Sequence, residues 1–335
     1  MISSFAHDYR SHGALSRKRV SLSAVVGVVS LLVLVDILVL KGIRPPPSLL
    51  DQYRPFGHVH EEHLTSETTL SSFNNIPDPN ERAVVTTLFS ESYSSAAVVL
   101  GHSLRTSQIS ARRMLLYFPE RISSRTVCWL REVGWELHPI ERIAPPDGGR
   151  GVFHRFVDNY SKLQIWTLDK IGIKSVVYLD ADMLVRSNFD ELWSLPFGFA
   201  AVPDVYGDKR GFVSTCNAGM MFLRTSSAVF AEMLSKIESD GYRHNEAEQG
   251  LLNVYFATQV VLLPYIYNAN LMIKQRNPVL WYTIKNETRI LHYTLLKPFI
   301  EEERQQAISG IWEPEMRLWE LAWMDAFTSD LQDKC

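Results

Sequence analysis

The stretch Lys174-Ser175-Val176-Val177-Tyr178-Leu179-Asp180-Ala181-Asp182 decides the fold class of this chain. Its apolar run predicts a buried strand, and two carboxylates follow that strand directly. In an extended chain, side chains at i and i+2 point to the same side, so Asp180 and Asp182 would repel each other without a cation nearby. Mg²⁺ or Mn²⁺ would satisfy both carboxylates and would also bind diphosphate oxygens. The alternative is that the two aspartates only start a turn, where aspartate is common.

Strands and helices alternate on the N-terminal side of this stretch. The pattern predicts strands at 83–89, 114–118, 135–143 and 174–179, and helices at 92–104, 120–133 and 156–168. This alternation predicts an α/β fold with a largely parallel sheet and helices on both faces. Such sheets bind ligands at the carboxyl ends of their strands, which is where the aspartate pair stands.

Composition and charge set broad limits on the class of protein. The chain has 335 residues, 46% of them hydrophobic, which is enough for one large domain or two small ones. A formal net charge of −3 gives no reason to expect a nucleic-acid partner. Three cysteines, Cys128, Cys216 and Cys335, are too few for a disulfide scaffold, and at least one must stay unpaired within the chain.

The N-terminal region carries a candidate membrane span. Residues 20–40 are nearly all apolar, with one interruption at Asp36, and about 20 such residues cross a bilayer as a helix. A cleaved signal peptide fits less well because no small-residue cleavage site follows the run. Basic residues are more numerous before the span than after it, which favours a cytoplasmic N-terminus. We therefore predict a cytoplasmic tail at 1–19, a transmembrane signal anchor at 20–40 and a stem at 41–81.

Several sequence blocks resemble glycosyltransferase family 8, specifically its glycogenin-like branch. The resemblance covers about residues 83–300 and is carried, in order, by VVTTLFSESYSSAAVVLGHSL (84–104), YSKL (160–163), SVVYLDADMLVRSNFDELW (175–193), CNAGMMF (216–222), EQGLLN (248–253) and LHYTLLKPF (291–299). A haloacid-dehalogenase phosphatase also has D-x-D after a strand. That interpretation fits less well because three predicted strands precede the motif and Leu184 stands where threonine or valine is expected.

The resemblance implies a GT-A fold, which is a Rossmann-like nucleotide-diphospho-sugar transferase domain, at 82–300, followed by a helical extension at 301–335. It implies a retaining hexosyltransferase that uses a UDP-sugar and Mn²⁺, with Mg²⁺ as the other candidate ion. The implied metal ligands are Asp180, Asp182 and His292. Lys297 would neutralise the departing diphosphate, and Lys162 would contact the donor sugar or phosphate unless it is an ordinary solvated helix lysine.

The resemblance also implies the rest of the site. Thr87 and Tyr93 would contact uracil, Ala181 would lie within the cofactor-binding motif, and Asn217 and Gln249 would bond the donor sugar or the acceptor. The implied catalytic residues are Asp180, Lys297, Gln249 and Glu248.

Departures from the family pattern leave the substrates open. Glu248 stands where glycogenin has aspartate, Asn245 replaces an acidic residue, and the block from His292 to Lys297 is one residue shorter. Glucose is the favoured sugar, with N-acetylglucosamine, galactose and glucuronic acid as alternatives. The acceptor is a glycan, a lipid or a protein.

The predicted anchor would place the catalytic domain in a secretory compartment, and we expect a single-pass type II protein of the Golgi. Two N-glycosylation sequons, Asn159-Tyr160-Ser161 and Asn286-Glu287-Thr288, would then be usable. We expect the first to be unused because it adjoins Lys162. The alternative function is that of a catalytically silent, membrane-anchored lumenal protein that keeps the fold for glycan or partner binding.

The C-terminal extension carries an apolar stripe at helical spacing. Its members are Trp312, Met316, Trp319, Trp323 and Phe327. The spacing predicts a helix that packs this stripe on the domain, with a membrane-surface or partner contact as the alternative.

Overall fold

The computed structural model describes residues 77–239 and 241–335. The predicted tail, anchor and nearly all of the stem lie outside these residues and stay predictions. Within the described part of the chain, no helix is long and apolar enough to cross a membrane.

Two β-sheets form the framework of the described residues. Their strands are β1 (Arg82–Leu88), β2 (Arg112–Tyr117), β3 (Glu136–Pro139), β4 (Ser175–Leu179), β5 (Met183–Val185), β6 (Phe199–Val205), β7 (Phe212–Arg224), β8 (Val261–Leu262), β9 (Ala269–Asn270) and β10 (Ile290–His292). The larger sheet has the order β3-β2-β1-β4-β7-β6-β8, and the smaller one has the order β5-β10-β9.

Strand β4, which leads into the aspartate pair, lies at the centre of the larger sheet. β1 and β4 are buried along their whole length, as expected of parallel strands that are covered on both faces. β3, β2, β1 and β4 run parallel to one another, whereas β7 pairs antiparallel with both β4 and β6. The predicted α/β fold with a parallel sheet is confirmed for this half, and the sheet as a whole is mixed.

Helices connect and cover the strands. They are α1 (Ser94–Thr106), α2 (Ser124–Glu132), α3 (Ser227–Lys236), α4 (Ala247–Tyr255), α5 (Leu271–Arg276), α6 (Pro278–Ile284), α7 (Glu301–Ile308), α8 (Glu313–Ala326) and α9 (Ser329–Lys334). The helix predicted at 156–168 is a 3-10 helical segment, Asn159–Ile171. It ends at Gly172, whose φ of 82° is the left-handed conformation that glycine adopts at little cost.

An aromatic cluster fixes the Asn159–Ile171 segment against the sheet. Trp166 on this segment lies 5.8 Å from Phe256 and 6.2 Å from Phe199, centroid to centroid, and the two phenylalanines stack at 4.1 Å. Trp166 is fully enclosed, and truncation of such a side chain costs about 3–5 kcal/mol. The cluster therefore anchors the segment that carries Lys162.

The C-terminal helices pack part of the predicted apolar stripe on the domain. α8 lies against α1, with Met316 and Trp319 buried. Phe327 contacts Trp129 of α2 at 5.3 Å between ring centroids, while Trp323 is 37% exposed. A disulfide joins Cys128 of α2 to Cys335, and the unpaired cysteine is the buried Cys216.

Candidate active site

The two sheets meet at the aspartate pair. Asp180 follows β4 directly, and Ala181 and Asp182 form a turn that leads into β5. The expectation that the backbone is extended from Asp180 to Asp182 is therefore wrong. The backbone turns here because the chain leaves the larger sheet and enters the smaller one. β10 pairs antiparallel with β5 and places His292 opposite Met183, one residue after Asp182.

This pairing assembles the three predicted metal ligands. Asp180, Asp182 and His292 each offer one ligand atom, and these atoms all lie within 4.8 Å of one another. Asp182 and His292 are buried. Carboxylate oxygens with an imidazole nitrogen are a donor set for a divalent cation, so the chemistry of the residues fits the implied metal.

The protonation of His292 supports the same conclusion. Its Nδ1 lies 2.9 Å from Oδ1 of Asn268, and Nδ2 of Asn268 donates to Oδ1 of Asn217 at 2.9 Å. Because the second bond makes Oδ1 of Asn268 the acceptor, Nδ1 of His292 carries the hydrogen. In the neutral imidazole, Nε2, which lies 3.4 Å from Oδ1 of Asp182, then offers its lone pair to a metal ion.

Lys162 lies inside the site. Its Nζ is 3.1 Å from Oδ1 of Asp180 and 2.7 Å from Oε1 of Glu248, and only 2% of the side chain is exposed. Burial lowers the pKa of Lys162, but Asp180 and Glu248 outweigh it and hold that pKa well above its usual value. Lys162 is therefore a buried, charged residue, and the interpretation as a solvated helix lysine is wrong.

Lys297 pairs with the second aspartate. Its Nζ contacts Oδ2 of Asp182 and donates to the carbonyl oxygen of Tyr293 at 2.7 Å. Burial acts to raise the pKa of Asp182, but the charge of Lys297 and the contact with His292 lower it below the usual range. Each aspartate of the motif thus has its own lysine.

The residues predicted to contact uracil lie near the end of β1. The Thr87 hydroxyl is 2.8 Å from the Tyr178 hydroxyl, which donates to Oδ1 of Asp180 at 2.8 Å. The Tyr93 ring meets Phe299 edge to face at 4.8 Å. Burial, together with the nearby charges of Asp182 and Asp180, raises the pKa of Tyr93. Both residues therefore lie at the aspartate edge of the sheet.

An amide network forms the opposite wall of the site. Buried Asp204 accepts from Nδ2 of Asn217 at 3.1 Å and from Nε2 of Gln249 at 2.9 Å. Oε1 of Gln249 accepts from the Ala218 amide at 2.9 Å. Sequence reasoning missed Asp204, although a carboxylate within the otherwise apolar strand β6 is a signal that could have identified it.

Gly219 allows the closest approach in the site. A Cβ at this position would lie 2.5 Å from Cε1 of His292, 2.8 Å from Oδ1 of Asn217 and 2.9 Å from Oδ2 of Asp180. These distances are too short for any real side chain, so the glycine lets β7 pass directly behind the metal ligands.

The C-terminal helices also contribute to the site, which sequence reasoning missed. Oε2 of Glu303, on α7, accepts from the Lys297 amide at 2.7 Å, and its Oε1 lies 3.6 Å from Nη2 of Arg155. On α8, the backbone carbonyl of Glu315 accepts from the Tyr293 hydroxyl at 2.7 Å. The chain on either side of Lys297 is thus held by residues beyond 300.

Hydrogen bonds and ion pairs connect nearly all of the predicted site residues. One series runs from Thr87 through Asp180 and Lys162 to Glu248, and another runs from His292 to the amide network of Asn217 and Gln249. Asn245, in contrast, is exposed at the approach to α4.

A mixed sheet with an acidic pair and a histidine at one edge is typical of GT-A nucleotide-sugar transferases. The chain belongs to glycosyl transferase family 8, whose sequence model matches residues 84–299. The prediction that the chain belongs to this family of glycosyltransferases is therefore confirmed.

Two curated relatives illustrate this membership. The chain is 30% identical over 274 residues to a putative UDP-glucuronate:xylan alpha-glucuronosyltransferase 5 of Arabidopsis thaliana, covering 77% of this chain and 44% of the relative. It is 28% identical over 236 residues to glycogenin of Neurospora crassa, covering 69% of this chain and 33% of the relative. The chain thus spans less than half the length of these relatives.

Solved structures agree on the fold. The galactosyltransferase LgtC in complex with donor and acceptor sugar analogs has a TM-score of 0.50 at 17% identity, with 76% of this chain and 100% of that chain covered. The bifunctional glycosyltransferase WbbM in its apo form has a TM-score of 0.51 at 16% identity, with 73% and 52% covered. The predicted GT-A fold is therefore confirmed.

Proposed function

We propose that this chain is a retaining, metal-dependent hexosyltransferase that transfers a sugar from a UDP-sugar to a glycan hydroxyl. The observation that carries the proposal is the convergence of Asp180, Asp182 and His292 within 4.8 Å, with Lys297 beside them. Membership of glycosyl transferase family 8 supports the donor class.

Asp180, Asp182 and His292 would hold the cation. When bound, a divalent ion supplies positive charge to the diphosphate oxygens and so makes UDP a better leaving group. The imidazole ligand favours Mn²⁺ over Mg²⁺, which prefers oxygen ligands. Lys297 provides a second cation for the charge that develops on UDP, and such preorganised charges account for much of transition-state stabilisation.

The buried lysine orients the other side of the site. Lys162 binds Asp180 and Glu248 together, so it links the metal-binding turn to the start of α4. The bond between the anomeric carbon and UDP breaks, the acceptor oxygen bonds to that carbon on the same face, and the hydroxyl proton passes to the departing diphosphate oxygen, so the configuration is retained. This route requires no carboxylate nucleophile, which suits a Glu248 carboxylate that is already paired.

The donor sugar is proposed to be neutral, with glucose favoured. Asp204 accepts hydrogen bonds from Asn217, Gln249 and a backbone amide, and among the described residues no lysine or arginine forms an ion pair with it. A donor sugar that binds beside this network would lie near the negative charge of Asp204, which would repel the carboxylate of a uronic acid. This argues against the donor named for the xylan relative.

The test is UDP release by the purified full chain. Mn²⁺ is supplied with UDP-glucose, UDP-galactose, UDP-N-acetylglucosamine or UDP-glucuronate. We expect release to require the cation and to fall about 100-fold or more in Asp180→Asn. The matched control is Asp330→Asn, which alters an exposed aspartate of α9 and should behave as wild type.

The outcomes separate the parts of the proposal. Two results together would contradict the enzyme hypothesis and favour the catalytically silent binding protein. One is that no donor binds or is hydrolysed, and the other is that Asp180→Asn behaves as wild type in the same assays. Faster release from UDP-glucuronate than from the neutral donors would contradict only the proposed donor class.

A further inference from the structure

The acceptor asparagines of the two sequons have opposite surroundings. Asn286 is exposed just after α6. Val279 and Tyr282, at i−7 and i−4 from Asn286, are 77% and 63% exposed on the same face of this helix. This face of the domain is open to solvent, so a large group on Asn286 meets no steric obstacle along it.

Asn159 faces the active site instead. Its Nδ2 lies 3.5 Å from Oε1 of Glu248, a carboxylate that is itself buried. The next two residues, Tyr160 and Ser161, are fully buried, and the Ser161 hydroxyl accepts from the Ile143 amide at 2.9 Å. A glycan at Asn159 would occupy the space beside Lys162 and disrupt the Asn159–Ile171 segment.

A second, independent feature points to the same cellular environment. The disulfide between Cys128 and Cys335 joins residues 207 positions apart in the sequence and ties the C-terminal helices to α2. Disulfides of this kind form and persist in oxidising compartments such as the lumen of the endoplasmic reticulum, and are rare in the cytosol. N-linked glycans are attached to secreted and lumenal chains, on surface segments.

We propose that Asn286 carries an N-linked glycan, that Asn159 carries none, and that the domain matures in the lumen of the secretory pathway. In the modification, the Asn286 amide nitrogen bonds to the anomeric carbon of an oligosaccharide supplied on a lipid diphosphate. The nitrogen loses a proton and the lipid diphosphate leaves. Asn286 precedes β10, and His292 stands at the other end of that strand, so the glycan would be attached on the side of β10 away from the metal ligand.

The experiment expresses the full chain in a eukaryotic cell and compares its gel mobility before and after peptide-N-glycosidase treatment. We expect one glycan on wild type, none on Asn286→Gln, and an unchanged glycan on Asn159→Gln. Thr288→Ser keeps the sequon and should keep the glycan, whereas Thr288→Ala should lose it. Because attachment precedes folding, the results for Asn286 do not depend on whether a variant folds well. The prediction for Asn159 applies to the folded, purified chain, since a glycan there conflicts with the folded Asn159–Ile171 segment.

Two results would overturn the proposal. One is a wild-type chain whose mobility the glycosidase does not change, and the other is a glycan that persists in Asn286→Gln. Thiol alkylation of the unfolded, unreduced protein provides a second measurement. Only Cys216 should react, and three reactive thiols would refute maturation in an oxidising lumen. UDP release by Asn286→Gln should equal that of wild type. A chain without a glycan on Asn286 would therefore contradict this proposal without contradicting the proposed function.

Discussion

A single hydrogen bond determines which nitrogen of His292 faces the aspartates. Asn268 accepts from Nδ1 at 2.9 Å, and its own amide is held by Asn217. Loss of such a partner typically lowers metal affinity 10–100-fold. We therefore expect Asn268→Ala to weaken Mn²⁺ binding by about that factor in a calorimetric titration. The control Asn80→Ala, at an exposed position before β1, should bind as wild type, and equal affinities for the two variants would contradict this role.

Gly219 offers a second test at the scale of one residue. In Gly219→Ala the new methyl group would clash with His292, Asn217 and Asp180, so the ligands must move apart. Core overpacking typically costs about 1–3 kcal/mol, so we expect Mn²⁺ affinity to fall by about 5- to 150-fold. Gly198→Ala is the matched control, since a Cβ there meets nothing within 4 Å. Equal Mn²⁺ affinity of the two variants would show that the metal ligands can adjust to the added methyl group, which would contradict this prediction.

Site residues that belong to a sequence motif can be predicted from the sequence, whereas site residues outside any motif cannot. Asp180 and Asp182 are recognisable because two charges follow an apolar strand, and His292 is recognisable by its place before Lys297. Asn268 and Asp204 belong to no pattern. Their roles depend on strand pairing between distant segments, and a one-dimensional reading does not contain that pairing.

The α7 helix positions Lys297, a role that could not be predicted from the sequence of the helix. Glu303 fixes the Lys297 amide and pairs with Arg155. In Glu303→Ala we expect kcat/KM to fall about 10-fold, since an unsatisfied buried donor costs about 1–3 kcal/mol. Metal affinity should stay near wild type, because Glu303 contacts no ligand. Its neighbour Glu302 is exposed, so Glu302→Ala should retain full activity, and equal kinetics in both variants would rule out this positioning role.

The disulfide determines how firmly α9 is attached. We expect Cys335→Ser to lower the free energy of unfolding by about 2–4 kcal/mol in urea titration, with UDP release retained below the transition. The double variant Cys128→Ser/Cys335→Ser should lose no more than either single variant, because both changes remove the same bond. An additive loss would mean that each cysteine stabilises the protein separately.

Elements with a strong periodic signal are predictable, and short ones are not. The runs at β1 and β4 are buried throughout, so their apolar sequences identify them to within about one residue. β9 has two residues and β10 has three, which is too short for any alternation to appear. The smaller sheet was therefore absent from the prediction, and with it the reason why His292 reaches the aspartates.

A cation at this site would connect the two sheets. Asp180 directly follows β4 of the larger sheet, whereas Asp182 directly precedes β5 and His292 ends β10 of the smaller one. Binding to the folded state alone stabilises it by about 2.7 kcal/mol at a ligand concentration 100 times Kd. We expect Mn²⁺ to raise the Tm of wild type and EDTA to reverse the shift. Asp182→Asn should show no such shift, and an equal rise in that variant would indicate binding elsewhere.

The sheet junction also has a consequence for the order of events during synthesis. Lys297 lies 115 residues after Asp182 in the chain. At about 5–20 residues per second, the ribosome needs on the order of ten seconds to add this interval. During that time the acidic pair exists without His292 and without Lys297, and a chain halted between Asp182 and His292 has no complete metal site. The proposed metal site can therefore be complete only after residue 292 has been added, when most of the residues at 82–300 have already been synthesised.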